Sequence, residues 1–314
     1  MKMLIMSIIF SLMFLISSTS FWSMWLGLEM YNFFFTPWLM EEEKYKKSSK
    51  IFFYFVIQVM ASGMFLIGMS NPNSGFFYTL LLVSMLLKLG GFPLHSWVLV
   101  VVENMKWIKF SFFLTVSKIG PIVVLMMSNP MVSMIKYVLG GVITPILGLK
   151  SSSIRIMLAY SSIAYMSWIV TTICVSKSLL LFFVIIYWSI FICSCFFFKK
   201  LMMKSVKDFF RNSCSYLEMS VILSLMGFPP FLGFFPKLFT VKVLCMMSMI
   251  PEALILSTLS VIPFYFYLKM LMSMMMSFSF KNHSFLPLMT INKIIFFEVL
   301  LIMFSLEVLV YTCM

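Results

Sequence analysis

Acidic residues are nearly missing from this chain. Ten of its 314 residues are Asp or Glu, and Asp208 is the single aspartate. Charged residues of both signs make up 11%, against about 25% in soluble domains. With 62% apolar residues and a mean hydropathy of +1.07, this scarcity excludes an ordinary soluble enzyme and a disordered chain. Histidine is as rare: His95 and His283 are the two copies, and His283 falls in a polar stretch, so a bis-histidine haem site at membrane depth lacks its ligands. The six cysteines, Cys174, Cys193, Cys195, Cys214, Cys245 and Cys313, contain no CxxC pair. Most lie inside apolar runs and read as small buried residues, not a disulfide framework. The glycine-rich dinucleotide fingerprint, the phosphate-binding loop and the HExxH zinc motif are all absent, which removes nucleotide-, phosphate- and zinc-site readings.

What is present is a succession of long apolar runs. A bilayer crossing takes about 20 apolar residues, so a chain of this length has room for about eleven crossings and none for a soluble domain. Unbroken runs do not fit the alternation of an outer-membrane barrel. The runs predict helices over 4–21, 22–40, 51–70, 76–97, 107–127, 131–149, 154–175, 178–198, 214–248, 250–273 and 292–312. The N-terminus turns apolar at once without a small-residue cleavage site and is expected to be the first permanent span. Segment 214–248 is too long for one span and contains Gly227-Phe228-Pro229-Pro230, then Gly233 and Pro236. Adjacent prolines remove backbone donors and clash with the preceding turn, so the helix must break. At membrane depth a break persists only if buried in protein or lining a hydrated cavity.

The net charge of +13 reflects basic loops on one face of the membrane. Seventeen of the 23 basic residues, Lys2, Lys109 and Arg155 among them, fall in or beside connections on the side of the N-terminus. The opposite connections hold Lys177 and little else. This asymmetry supports the eleven-span count and places the N-terminus on the negative side. Gly91-Phe92-Pro93 in the fourth segment and Gly227-Phe228-Pro229 in the ninth are 136 residues and five spans apart, the spacing of an inverted repeat with paired broken helices. Ordinary Gly-Pro kinks remain the alternative.

Four charges stand where an apolar span has no use for them. Lys88 lies about 18 Å into its segment at 1.5 Å per residue. Lys118 is central in 107–127, Glu29 is within the second segment, and Lys237 follows the break. At roughly 2.5–3.5 kcal/mol each, the four cost about 10–14 kcal/mol on insertion scales. Burial pushes such groups toward neutrality, which a proton relay requires. A static Glu29–Lys88 ion pair and a capping role for Lys237 are the competing readings. His95, just after Pro93, is a relay candidate or a hydrogen-bonded structural residue. Glu103 reads as a hydrated loop acid beside Lys106, with proton entry as a second option, and Glu218, Glu298 and Glu307 carry less weight.

The chain resembles the subunit 2 family of mitochondrial NADH dehydrogenase, the antiporter-like chains of respiratory complex I. The resemblance runs nearly end to end. It rests on Gly27-Leu28-Glu29-Met30, on Lys88-Leu89-Gly90 through Pro93 and His95 to Trp97, and on Thr115 with Lys118, Ile119 and Pro121. It continues through Gly148-Leu149, Arg155 and Ala159-Tyr160-Ser161-Ser162-Ile163, and ends with Gly227-Phe228-Pro229-Pro230-Phe231-Leu232-Gly233-Phe234 and Pro236-Lys237. Methionine abundance (33 residues) fits an organelle-encoded chain.

The resemblance implies an all-α polytopic membrane protein with about eleven helices. These form two inverted five-helix repeats with broken helices (approximately 1–127 and 131–273) and a terminal helix at 292–312. It implies a proton-translocating subunit of NADH:ubiquinone oxidoreductase in the mitochondrial inner membrane, N-terminus in the matrix, with Glu29, Lys88, Lys118 and Lys237 on the proton path. No redox centre is expected on this chain; NADH, FMN, iron–sulfur clusters and ubiquinone are handled elsewhere in the complex. Expected partners are neighbouring antiporter-like and small membrane-arm chains, accessory subunits and phospholipids such as cardiolipin, with no nucleic acid. Four positions depart from the family: Val116-Ser117 stand where Trp-Gln is usual, Ile156 replaces a basic residue, and Tyr165 stands where histidine is common. A free-standing cation/proton antiporter and a structural membrane spacer are the alternatives, the first weakened by the lack of any aspartate within a span.

Overall fold

The computed structural model describes residues 2–41, 45–70, 75–103, 105–128, 141, 143–210 and 216–280. Among them the chain is helical apart from short turns and one isolated bridge between Ser153 and Ser205. The helices are α1 (Lys2–Ser17), α2 (Phe21–Met40), α3 (Tyr45–Met69), α4 (Gly75–Leu89), α5 (Ser96–Val102), α6 (Trp107–Thr115), α7 (Ile119–Ser128) and α8 (described over 143–148). They continue as α9 (Ile154–Val175), α10 (Lys177–Lys200), α11 (Tyr216–Met226), α12 (Phe234–Met246) and α13 (Ile250–Phe280). Most of segment 131–149 and all of 292–312 lie outside the described residues, as does His283.

Five described stretches are long and apolar enough to cross a membrane: Ser49–Met69, Trp107–Ser128, Ile154–Val175, Lys177–Lys200 and Ile250–Met275. The sequence boundaries need correction where helices are interrupted. Segment 76–97 is helical only to Leu89, turns, and resumes at Ser96 to run on to Val102. Segment 107–127 passes through a 3-10 turn at Val116–Lys118. Segment 214–248 divides into α11 and α12 around 227–233, the break that the proline pair dictates.

The chain forms two compact units, 1–140 and 141–314. In the first, α1 packs on α2, α2 on α3 and α3 on α4, while α7 touches α1, α2 and α4. The α3–α4 pair closes because Gly68 has no side chain: a Cβ there would stand 2.9 Å from the Leu81 nitrogen. In the second unit α9 is the buried centre, flanked by α10, α12 and α13. Its Ser161, Ser162, Ser167, Thr171 and Thr172 each turn their hydroxyl onto a carbonyl three residues back, so these polar groups cost little at depth. Large apolar side chains remain exposed on many helices, Met6, Phe10, Trp22, Phe52, Leu181 and Phe196 among them, as a lipid-facing surface requires.

Candidate functional site

Both broken helices end in the same way. Gly90 (φ +66°) and Gly227 (φ +75°) occupy the left-handed conformation just past α4 and α11. Gly90 N–H donates to the Leu87 carbonyl and Gly91 N–H to Leu86; Gly227 N–H donates to Ser224 and Phe228 N–H to Leu223. This paired pattern is the Schellman closure, and a left-handed residue costs a side chain about 1–2 kcal/mol, so glycine is favoured at both positions. The capping glycines are 137 residues apart. The Gly-Phe-Pro tripeptides that the sequence aligns at a spacing of 136 are therefore one residue out of structural register.

In the first unit, Lys88 sits in the last turn of α4 and is 4% exposed. Its Nζ has no hydrogen-bond partner. Glu29, half-buried on α2, acts on it electrostatically, yet the two form no contact pair, and Glu29 Oε1 is also without a partner. The static ion pair weighed from the sequence is not formed. Buried polar atoms of Trp25, Tyr31, Asn32 and Trp97 in the same unit likewise have no partner. His95 is buried at the start of α5, hydrogen-bonded to the Pro93 backbone and stacked on Phe92 with ring centroids 6.0 Å apart.

Lys118 is buried at the end of the 3-10 turn, and this turn packs against α4, the helix of Lys88. Three residues explain the local tightening. Pro121 has no N–H to offer the Ser117 carbonyl. Thr115 and Ser117 turn their hydroxyls onto the carbonyls of Ser111 and Phe113, which bends a helix. A mid-span 3-10 stretch is a common hinge.

In the second unit, Lys237 lies in the first turn of α12 and is 8% exposed. Its Nζ reaches back across the break and donates to the Met226 carbonyl at 3.1 Å. The ammonium stands 4.9 Å from the centroid of the Tyr165 ring. Tyr165 OH in turn donates to the Leu225 carbonyl at 2.6 Å. The last four carbonyls of α11, from Leu223 to Met226, are thus all satisfied, two by the turn and two by side chains.

For four residues the structure adds what sequence reasoning did not contain. Lys109, counted there as a loop charge, is buried in α6 and donates to the Leu39 carbonyl at 2.7 Å and to the Glu41 carbonyl, closing the C-terminal end of α2. Glu103, read as a hydrated acid beside Lys106, is exposed and pairs with Lys50 at 2.9 Å. Glu218, given little weight near a span end, is buried in the first turn of α11. Tyr165 was noticed only as a departure. The signal for it was its place opposite the broken helix, which a linear pattern does not contain.

Fold and site together define a multi-pass α-helical membrane protein whose spans break or tighten beside buried lysines. The family model described as "NADH:quinone oxidoreductase/Mrp antiporter, TM" matches residues 69–263, and the chain belongs to that family. It is 31% identical over 267 residues to the NADH-ubiquinone oxidoreductase chain 2 of Artemia franciscana, covering 83% of this chain and 86% of the relative. It is 29% identical over 296 residues to the protein of the same name from Locusta migratoria, covering 89% and 86%. Among solved structures, a chain of respiratory complex I from Thermus thermophilus superposes with a TM-score of 0.75 at 20% identity, covering 86% of this chain and 69% of that one. A chain of the Mrp complex from Dietzia superposes at 0.70 with 13% identity, covering 85% and 59%. At these identities both superpositions speak for the fold.

Proposed function

We propose that this chain is a proton-translocating membrane-arm subunit of a respiratory NADH:ubiquinone oxidoreductase. Glu29, Lys88, Lys118 and Lys237 carry the proton movement, with His95 as a relay, and electron transfer takes place elsewhere in the complex. The chain contributes no redox centre; NADH, FMN, iron–sulfur clusters and ubiquinone belong to other subunits. It resides in the mitochondrial inner membrane with its N-terminus in the matrix. There it contacts neighbouring antiporter-like and small membrane-arm chains, accessory subunits and phospholipids such as cardiolipin. The proposed organisation is two inverted repeats, approximately 1–127 and 131–273, followed by a terminal segment 292–312 that lies outside the described residues. Support comes from the roughly 30% identity, over most of the chain, to proteins named as chain 2 of that enzyme.

The observation that carries the mechanism is the state of Lys88. It is buried, its Nζ has no hydrogen bond, and its acidic neighbour Glu29 is near enough to act on it without touching it. A purely structural pair would close into contact, because an unpaired buried charge costs several kcal/mol. A pair that interacts without closing into contact suits groups that exchange a proton. In the assembled complex, Lys88→Met should leave assembly on native gels intact. It should also abolish most of the protons moved per NADH oxidised. Normal turnover with normal pumping in that variant would overturn the proposal and leave the spacer reading in its place.

A further inference from the structure

Tyr165 has no place in the proton path drawn above, yet it touches both sides of the second break. Its hydroxyl is fixed on the Leu225 carbonyl, its ring face lies under the Lys237 ammonium, and Lys237 holds the next carbonyl, Met226. Among the described residues no carboxylate pairs with Lys237. Its charge is met by one carbonyl dipole and one aromatic face.

The surroundings fix the ring from behind. Tyr165 stacks on Tyr187 with centroids 4.2 Å apart and planes 28° from parallel, and Phe183 stands 6.4 Å away. Tyr267 is near enough to act electrostatically on both tyrosines and donates to Ser161 at 2.7 Å. Tyr165 is 5% exposed, and its ring is restrained by the Leu225 hydrogen bond and the Tyr187 stack. The hydroxyl pin and the stack together present a rigid π face to one point in space.

We infer that Tyr165 is a positioning residue for Lys237: its pinned ring holds the protonated side chain against the Met226 carbonyl and releases it when the proton leaves. The asymmetry follows from the interaction itself. A ring quadrupole attracts an ammonium but gives little to a neutral amine. The Tyr165–Leu225 bond does not involve the titrating Nζ, so the ring serves as a fixed reference while Nζ is held or let go. The inference rests on the proposed role of Lys237 in proton transfer and adds to it the partner that registers its charge. From exposed to desolvated sites, a contact of this kind corresponds to roughly 3- to 30-fold in the held population.

The test uses three single variants in the assembled complex: Lys237→Met, Tyr165→Phe and Tyr165→Met. The readout is protons moved per NADH oxidised, at matched levels of assembled complex. Tyr165→Phe keeps the ring and should retain most of the pumping ratio. Tyr165→Met fills the volume without a π face and should lower pumping about tenfold, toward the level of Lys237→Met. Combining Tyr165→Met with Lys237→Met should cause no further loss, because the tyrosine acts through the lysine. If Lys237→Met pumps normally, the reading of Lys237 as a proton carrier fails, and this inference with it. If Lys237→Met is defective while Tyr165→Met pumps normally, the inference alone is overturned. If Tyr165→Met does not assemble, adding Lys237→Met should restore assembly by removing the stranded cation. Failure in both backgrounds marks Tyr165 as mere packing and overturns the inference.

Discussion

Replacing Gly227 by alanine separates two costs that the second break combines. The first is backbone strain: at φ +75° a side chain costs about 1–2 kcal/mol. The second is local to Lys237. A Cβ on residue 227 would stand 2.8 Å from Lys237 Nζ and 3.3 Å from the Gly233 carbonyl, so the ammonium must leave its place on Met226. A hydrogen bond from a charged donor is worth about 1.5–3 kcal/mol, which brings the total near 3–5 kcal/mol. The strain is indifferent to residue 237 and the displacement is not. In a Lys237→Ala background, Gly227→Ala should therefore cost only the strain, a coupling of about 1.5–3 kcal/mol, or roughly one to two orders of magnitude in rate or population. The assay is thermal retention of assembled complex on native gels, measured on the four corners of the cycle. Gly90→Ala is the control, because its Cβ would strike Val98 at 2.2 Å, not a lysine. Its cost should be the same with and without Lys88→Met. Equal costs for Gly227→Ala in both lysine backgrounds would refute the idea that Gly227 makes room for the ammonium.

Two further outcomes follow from the first unit. Pro121→Ala restores an N–H toward the Ser117 carbonyl and should regularise the 3-10 turn, stabilising the span locally by up to about 3 kcal/mol. Assembly should be unchanged or improved while pumping per NADH falls, because Lys118 rotates with the turn; unchanged pumping would mean that the turn is incidental. Lys109→Met removes both bonds to the end of α2 and should cost about 3 kcal/mol, seen as less assembled complex, with Lys109→Arg recovering much of it. Each assembled Lys109→Met complex should pump normally, and a fall per complex would place Lys109 in the proton path instead.

The two breaks were legible in the sequence for different reasons. Pro229-Pro230 and Pro236 leave no continuous helix through 227–236, and the helix does end at Met226. Gly90-Gly91 with Pro93 marks the other break, but periodicity alone does not reveal that the helix resumes at Ser96 and reaches Val102. The tightening at Val116–Lys118 had its signal in Thr115, Ser117 and Pro121, yet each residue is tolerable alone in a membrane helix, and only their coincidence shifts the hydrogen bonds. Lys109 was misread because a lysine two residues into a helix looks like a flank until the end of α2 is seen beside it. That Lys88, Lys118 and Lys237 stand within apolar segments could be read from the sequence, and all three are buried. The groups that receive them could not, since a carbonyl left over at a helix end carries no residue code.

That last point bears on why the lysines stand at helix irregularities. An unbroken membrane helix has no spare carbonyl for a cation, because each interior oxygen is taken by the N–H four residues on. Ending a helix at depth frees its last carbonyls, and the same end carries the negative pole of the helix dipole. Lys88 lies in the final turn of α4 with its Nζ unbonded, whereas Lys237 reaches back to the final turn of α11, so it is the Lys237 ammonium that meets a freed carbonyl. A carboxylate in direct contact would stabilise each charge more strongly and would also fix it, since an opposite charge favours the ionised form and is itself able to take the proton. A backbone carbonyl accepts the ammonium but does not take its proton. Glu29 adds attraction at Lys88 without contact, and the Tyr165 ring adds it at Lys237 without any formal charge. If these lysines carry protons as proposed, a site without a contacting carboxylate leaves the proton free to move on, a balance that a salt bridge does not supply.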